Sequence, residues 1–290
     1  MQIINTVASL RERLASQTNI AFVPTMGNLH AGHITLVKLA KQQSATNQPP
    51  CVVVSIFVNP LQFGANEDLE NYPRTLEADC EKLKLAEVDI VFIPEISELY
   101  PNFNTKTANL GQTMMITLPP IADELCGATR PEHFAGVATI VMKLFNVARP
   151  TTALFGKKDF QQIFIIHELV RQFNLPIRIV TVDTVREADG LAMSSRNCYL
   201  SNLERIKAVE LQKTLSQIVN DVQIKRLNFA DAELKAIDSL TLQGWVVDYI
   251  SIRAASTLLS ANPSDKSLVI LGAACIGKTR LIDNIEFELL

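Results

Sequence analysis

His30 and His33 are two of only four histidines in the chain, and they flank Gly32 in the segment IAFVPTMGNLHAGHITLVKLA, residues 20–40. Imidazoles three residues apart share one face of a helix. The apolar run before them predicts a buried strand that turns at Pro24-Thr25-Met26-Gly27, and His30-Ala31-Gly32-His33 opens a helix running through Val37 and Ala40. Gly27 permits the tight turn, and Gly32 lets a ligand approach the backbone closely. A helix start carries unpaired N–H groups and the positive end of the helix dipole, which makes it a natural phosphate site. Two imidazoles beside it could hydrogen-bond the oxygens that gain charge when a nucleotide α-phosphate is attacked. Two other readings compete. A zinc pair on a helix more often has a spacing of four, and no Cys, His or acidic third ligand is near in the sequence. Two ordinary surface histidines are the remaining reading, and their placement around a glycine at a strand-to-helix turn counts against it.

Such a turn needs a sheet behind it. Short β-branched runs recur at Ile20–Val23, Val52–Val58, Asp89–Ile93, Ala153–Phe155 and Ile177–Val182. Most lack alternation, as strands buried on both faces of a parallel sheet do. Between them lie helical patterns. Val137, Ile140, Val141, Leu144, Phe145 and Ala148 step by three and four, and so do Ile163, Ile166, Leu169, Val170 and Phe173. Strands alternating with helices predict an α/β fold, a Rossmann-like doubly wound parallel sheet, with ligands beyond the carboxyl ends of its strands. After about residue 184 the texture changes. A long amphipathic stretch over Leu203–Val222 precedes strand-like runs at Val246–Arg253 and Leu268–Leu271, the pattern of a smaller C-terminal α+β domain. The expected division is 1–184 and 185–290, with the second domain closing over the active site. Residues 101–131 are polar and read as an excursion over the sheet edge, with one strand at Met114–Leu118.

The string H-A-G-H resembles the HxGH motif of the nucleotidyltransferase superfamily, whose members activate substrates by AMP or CMP transfer. Within it, PTMGNLHAGH resembles the pantothenate synthetase family. So do SIFVNPLQF at residues 55–63, YPRT at 72–75, RPEHFAGV at 130–137, FGKKDFQQ at 155–162, VREADGLAMSSRN at 185–197 and the terminal GKTRLIDN. These blocks cover nearly the whole chain in family order. The resemblance implies ATP-dependent joining of pantoate to β-alanine through a pantoyl adenylate, with Mg²⁺ on the phosphates, in a homodimer. It places ATP at Met26, Gly27, Asn28, Leu29, His30, Ala31, Gly32, His33, Gly156, Lys157, Lys158, Asp159, Val185, Met193, Ser194, Ser195 and Arg196. His30, His33, Lys158, Ser194, Ser195 and Arg196 are its expected catalytic set.

Each residue type suits the task assigned to it. Gln62 and Gln162 are neutral amides with donors and acceptors, suited to a substrate bearing hydroxyls and a carboxylate. By resemblance both grip pantoate, and Gln62 also β-alanine, although an isolated glutamine is ordinarily a surface residue. Lys158 can reach phosphates as a mobile charge, and Asp159 can accept from ribose or adenine. Taken alone, a solvated Lys-Lys-Asp turn is the simpler reading. Met193–Arg196 resembles the superfamily's second nucleotide motif, KMSKS, with Arg196 replacing its second lysine. Two hydroxyls and a cation there can balance charge developing on a triphosphate. Arg130 and His133 are candidates for a carboxylate or phosphate, whereas His167, beside Glu168 and Arg171, reads as a surface histidine. The metal ligands are not legible, and Asp79 is the one carboxylate singled out for Mg²⁺.

Two alternatives remain, one near and one far. Another HxGH enzyme, such as a phosphopantetheine adenylyltransferase, would share the histidines but usually lacks the second domain and the paired glutamines. A catalytically silent nucleotide-binding protein would keep the fold, yet every expected catalytic position here holds a competent residue. Gly272-Ala-Ala-Cys-Ile-Gly277-Lys278-Thr279 matches the Walker A pattern literally, but too little chain follows it to build a P-loop core, so it is expected to bind no nucleotide. A net charge of −3 argues against nucleic acid as the main partner. The N-terminal stretch lacks a signal pattern, and no apolar run reaches membrane-spanning length. Five scattered cysteines without C-x-x-C spacing fit a reducing compartment, so the expected location is the cytoplasm, away from membranes.

Overall fold

The computed structural model describes residues 1–43, 49–64, 67, 69–225 and 227–289. Along the first part run β1 (Gln2–Ile4), α1 (Val7–Leu14), β2 (Ile20–Thr25), α2 (Ala31–Ala40), β3 (Cys51–Ile56), α3 (Leu76–Leu85), β4 (Ile90–Phe92) and α4 (Ile96–Leu99). Then come α5 (Cys126–Thr129), α6 (His133–Ala148), β5 (Thr152–Gly156), α7 (Phe160–Gln172) and β6 (Arg178–Val182). The remainder forms α8 (Asn202–Lys207), α9 (Glu210–Lys225), α10 (Phe229–Leu242), β7 (Val246–Ala254), β8 (Ser267–Ile276) and β9 (Thr279–Glu288).

Six strands make one sheet in the order β1-β4-β3-β2-β5-β6, every pair parallel. Alternation along β2 shows why its apolar run is continuous. Ala21 and Val23 pack with Leu36, Val37 and Ala40 of α2. Phe22 points to the opposite face, its ring 6.5 Å from that of Phe145 on α6. Both faces are covered by helices, so neither register position can be polar. Strand order reverses between β2 and β5, which is where ligands of such sheets bind, beyond the carboxyl ends.

The chain divides into two compact units. One holds Met1–Pro119, Arg130–Lys157 and Ile165–Asp183; the other holds Pro120–Thr129, Lys158–Phe164 and Thr184–Leu290. In the second unit β7, β8 and β9 form an antiparallel sheet. Its core includes Leu211, Leu215 and Ile218 of α9, Leu240 of α10, and Ile250, Ile252, Leu268 and Ile270 of the strands. Burying each such side chain is worth about 1.5–3 kcal/mol.

The strand expected at Met114–Leu118 does not form. Met114 and Met115 are exposed, and among the described residues no strand pairs with this segment. The stretch Leu203–Val222 is two helices with a break at Ala208–Val209, both buried. No Gly or Pro marks that break, so periodicity could not find it. The Walker-like string is a β-hairpin: Gly272 through Ile276 lie in β8, Thr279 opens β9, and Ile276 pairs with Thr279 across Gly277-Lys278. Gly272 serves packing, since a Cβ there would lie 2.9 Å from Ile250 Cδ1 and 3.2 Å from both Leu211 Cδ1 and Leu215 Cδ2.

Candidate active site

The carboxyl end of β2 leads into the HAGH turn. Gly27 takes φ +84°, in the left-handed region, and its N–H donates to Thr25 Oγ1 at 3.3 Å. The next two amides turn toward α3: Asn28 N donates to Asp79 Oδ2 at 2.7 Å and Leu29 N to Asp79 Oδ1 at 2.8 Å. Asp79 is fully buried. Its two oxygens therefore clamp the turn, and the carboxylate singled out for Mg²⁺ is a backbone anchor instead. Leu29 packs in the core and its carbonyl accepts from Lys82 Nζ at 2.7 Å.

His30 caps α2. Its Nδ1 accepts from Gly32 N at 3.1 Å, while His33 Nδ1 accepts from His30 N at 3.2 Å. The rings lie 4.1 Å apart, centroid to centroid. An Nδ1 that accepts a backbone N–H carries no proton, so each neutral imidazole holds its proton on Nε2. The amides of Gly27, Asn28, Leu29, His30 and Gly32 are engaged within the structure, and the two imidazoles sit beside the positive end of the helix dipole. Next to β2 in the sheet, β5 ends at Gly156, and Nζ of the following Lys157 pairs with Asp183 at 3.0 Å.

Gln62 closes a short helical turn after β3 and is buried. Its Oε1 accepts from Asn59 Nδ2 at 3.2 Å, and its Nε2 rests 2.9 Å from Met26 Sδ. His133 and Arg130, expected as substrate ligands, are joined to this turn: His133 Nδ1 lies 2.8 Å from the Gln62 carbonyl, and Arg130 Nη1 lies 3.0 Å from His133 Nε2.

In the second unit, Lys158 lies in the turn before α7, and its carbonyl accepts from Asn284 Nδ2 at 2.9 Å. Burial lowers the pKa of its ammonium; Asp159 and Asp283 act the other way, and Arg196 adds to the lowering. Among the described residues no carboxylate lies within ion-pair distance of Lys158. A small cavity is lined by Lys158, Ser194, Asn197 and Asp283 among others. Val185 O accepts from Met193 N at 3.0 Å, and Ser194 Oγ accepts from Arg196 N at 3.2 Å to start the turn Ser195–Tyr199. Arg186 grips Asp283 of β9 through two bonds of 2.6 and 2.9 Å, which fixes the loop that presents Met193–Arg196. Gln162 is half-buried on α7 and Asp159 is exposed. The adjacent Gln161 is structural, with Nε2 donating to the carbonyls of Ile121 and Glu124, both at 2.8 Å. His167 is exposed, as its neighbours implied.

Sequence reasoning passed over Asp79, Asn59, Gly136, Arg186, Asp283 and Asn284 as supports. Each lies in or near a motif block that carried the family resemblance, but none has a spacing that reveals its partner.

The sheet, the imidazole-capped helix at its switch point and the basic turn after β5 define an α/β enzyme of the nucleotide-handling class. The chain belongs to the pantoate-beta-alanine ligase family, whose model matches residues 2–286. The pantothenate synthetase of Methylobacillus flagellatus is 59% identical over 288 residues, covering 99% of each chain. That of Neisseria meningitidis serogroup B is 49% identical over the full length of both. The crystal structure of pantothenate synthetase from Thermus thermophilus matches with a TM-score of 0.88 at 39% identity, covering 98% of this chain and 99% of that one. Pantoate-beta-alanine ligase from Francisella tularensis, complexed with beta-gamma ATP and beta-alanine, matches at 0.76 and 33% identity, over 98% of this chain and 97% of that one.

Proposed function

We propose that this chain condenses pantoate with β-alanine to pantothenate, converting ATP to AMP and pyrophosphate through a pantoyl adenylate. The observation that carries the reading is the imidazole pair capping α2 at the switch point of the sheet. A pantoate carboxylate oxygen attacks the α-phosphorus and pyrophosphate leaves. The β-alanine amine then attacks the acyl carbon, expels AMP and loses a proton as the amide forms. Adenylation supplies a leaving group that a free carboxylate lacks.

His30 and His33 donate from Nε2 to the phosphate oxygens as charge grows there. Lys158, Arg196 and the hydroxyls of Ser194 and Ser195 bind the triphosphate, and partial removal of Lys158 from water strengthens its pull on anions. Gln62 and Gln162 hold pantoate. The amide order at Asn59 and Gln62 supports this, because it turns Gln62 Nε2, a donor, onto a weak sulfur acceptor that a substrate oxygen can replace. Among the described residues no group of three His, Cys, Asp or Glu side chains is placed to hold a metal. Asp79 is committed to two amides, so Mg²⁺ fits here as a partner of the ATP phosphates and not of a protein cage. We further propose a cytoplasmic homodimer. All five cysteines are free and no helix among the described residues is long and apolar enough to cross a membrane. Light scattering at micromolar concentration tests the dimer, and a monomer refutes it.

Incubation with ATP, pantoate and β-alanine should yield AMP and pantothenate in equal amounts, and AMP formation should require pantoate. Production of AMP without pantothenate when all three are present would overturn the assignment.

A further inference from the structure

Gln62 is held from three sides, and the hydrogen bonds doing so have a fixed sense. Its carbonyl oxygen can only accept, so His133 Nδ1, at 2.8 Å, carries the proton. His133 Nε2 is then an acceptor, and the guanidinium of Arg130 donates to it at 3.0 Å. The other edge of that guanidinium meets Glu67 in a two-point pair, Nε to Oε1 at 2.8 Å and Nη2 to Oε2 at 2.5 Å. The side-chain amide of Gln62 is oriented separately. Leu61 N donates to Asn59 Oδ1 at 3.3 Å, which leaves Asn59 Nδ2 to donate both to Gln62 Oε1 and to the Gly136 carbonyl, each at 3.2 Å. The helix α6 itself touches this turn. A Cβ on Gly136 would fall 2.4 Å from Leu61 O and 2.8 Å from Gln62 Cα, so only glycine lets the first turn of α6 lie this close.

We infer that Glu67, Arg130 and His133 form a positioning relay that sets Gln62 for pantoate, acting through the Gln62 backbone and not by touching the substrate. This rests on Gln62 being a pantoate ligand. It departs from the simplest use of an arginine near a carboxylate substrate, which is to bind that carboxylate. Arg130 has one edge closed by Glu67 and an Nη1 donor turned to His133.

The two roles predict opposite signs for one substitution. Glu67→Gln weakens the clamp on Arg130 and removes a competing anion from its guanidinium. A relay predicts that the KM for pantoate rises by about 3- to 10-fold, the worth of one hydrogen bond, while the KM for ATP and the melting temperature stay put. A direct ligand predicts that the KM for pantoate falls. The effect should also vanish in a Gln62→Ala background, because the relay then has nothing to position. His133→Asn keeps an N–H near the Gln62 carbonyl and should raise the KM for pantoate less than His133→Ala does. A fall or no change in pantoate KM for Glu67→Gln, or an equal rise persisting without Gln62, overturns the relay. Wild-type pantoate KM in Gln62→Ala alone would instead refute the reading of Gln62 on which the relay depends.

Discussion

Two glycine-bearing strings in this chain look like phosphate sites, and they fold in opposite ways. Residues 272–279 satisfy the Walker A pattern letter by letter, yet they lie along two antiparallel strands, with residues 272–276 each paired across the ladder. The backbone donors of that stretch belong to a sheet, and no helix starts at its end. Residues 26–33 match no P-loop pattern but run from a parallel strand into a helix at the switch point of a sheet. Their amides are also engaged, through Asp79, Thr25 and the two imidazoles. The difference is that this internal bonding ends in two imidazole side chains at the start of a helix, which the antiparallel ladder lacks. A glycine pattern by itself therefore does not specify a phosphate site, because the element that follows it decides which groups the turn presents.

The largest expected effect tests the second half of that contrast. His33→Ala should slow pantoyl-adenylate formation by about 10²- to 10³-fold while ATP affinity changes far less, because the interaction is made mainly in the transition state. Attack of β-alanine on preformed adenylate should suffer less, since no triphosphate remains. Single-turnover measurement with ATP and pantoate alone isolates the first step; a wild-type rate there removes the HAGH turn from the chemistry.

Asp79→Asn comes next. The amide offers one acceptor oxygen where the carboxylate offered two, and its NH₂ faces a backbone donor. A buried mismatch of this kind costs about 1–3 kcal/mol. Lower melting temperature together with slowed adenylation is expected, and unchanged melting would show that the clamp contributes nothing.

A third substitution sharpens the role of the hairpin. Asp283→Ala removes the carboxylate that holds Arg186 and should destabilise the protein by about 1–3 kcal/mol, less than a fully buried pair would because Arg186 remains partly exposed. The hairpin then acts through side chains that support the Met193–Arg196 loop. Denaturant melts of this variant that overlay the wild type would contradict that role.

The smallest effect is expected at the Walker lysine. Lys278 is exposed in the hairpin turn, so Lys278→Ala should leave ATP affinity unchanged, whereas Lys158→Ala should weaken it. Equal losses in two folded variants would mean that the hairpin binds nucleotide after all.

Much of the architecture was legible because its causes are local. The continuous apolar run at Ile20–Val23 implied a strand buried on both faces, and the three-four stepping of Val137–Ala148 implied α6, found at His133–Ala148. The end of β8 and the start of β9 were hidden inside a string that also reads as a nucleotide motif, and β1 is only three residues long. The residue types of the candidate site and the order of the motifs along the chain were set by sequence alone, since chemical competence at His33, Lys158 or Gln62 is a property of the side chain. Tertiary structure decided which atoms are left to act. Asp79 is spent on two amides about fifty residues away, each imidazole is fixed in one tautomer by a backbone N–H, and Arg130 is turned toward Glu67 and His133. Hydrogen-bonding capacity is finite, and only the folded chain determines which partners consume it.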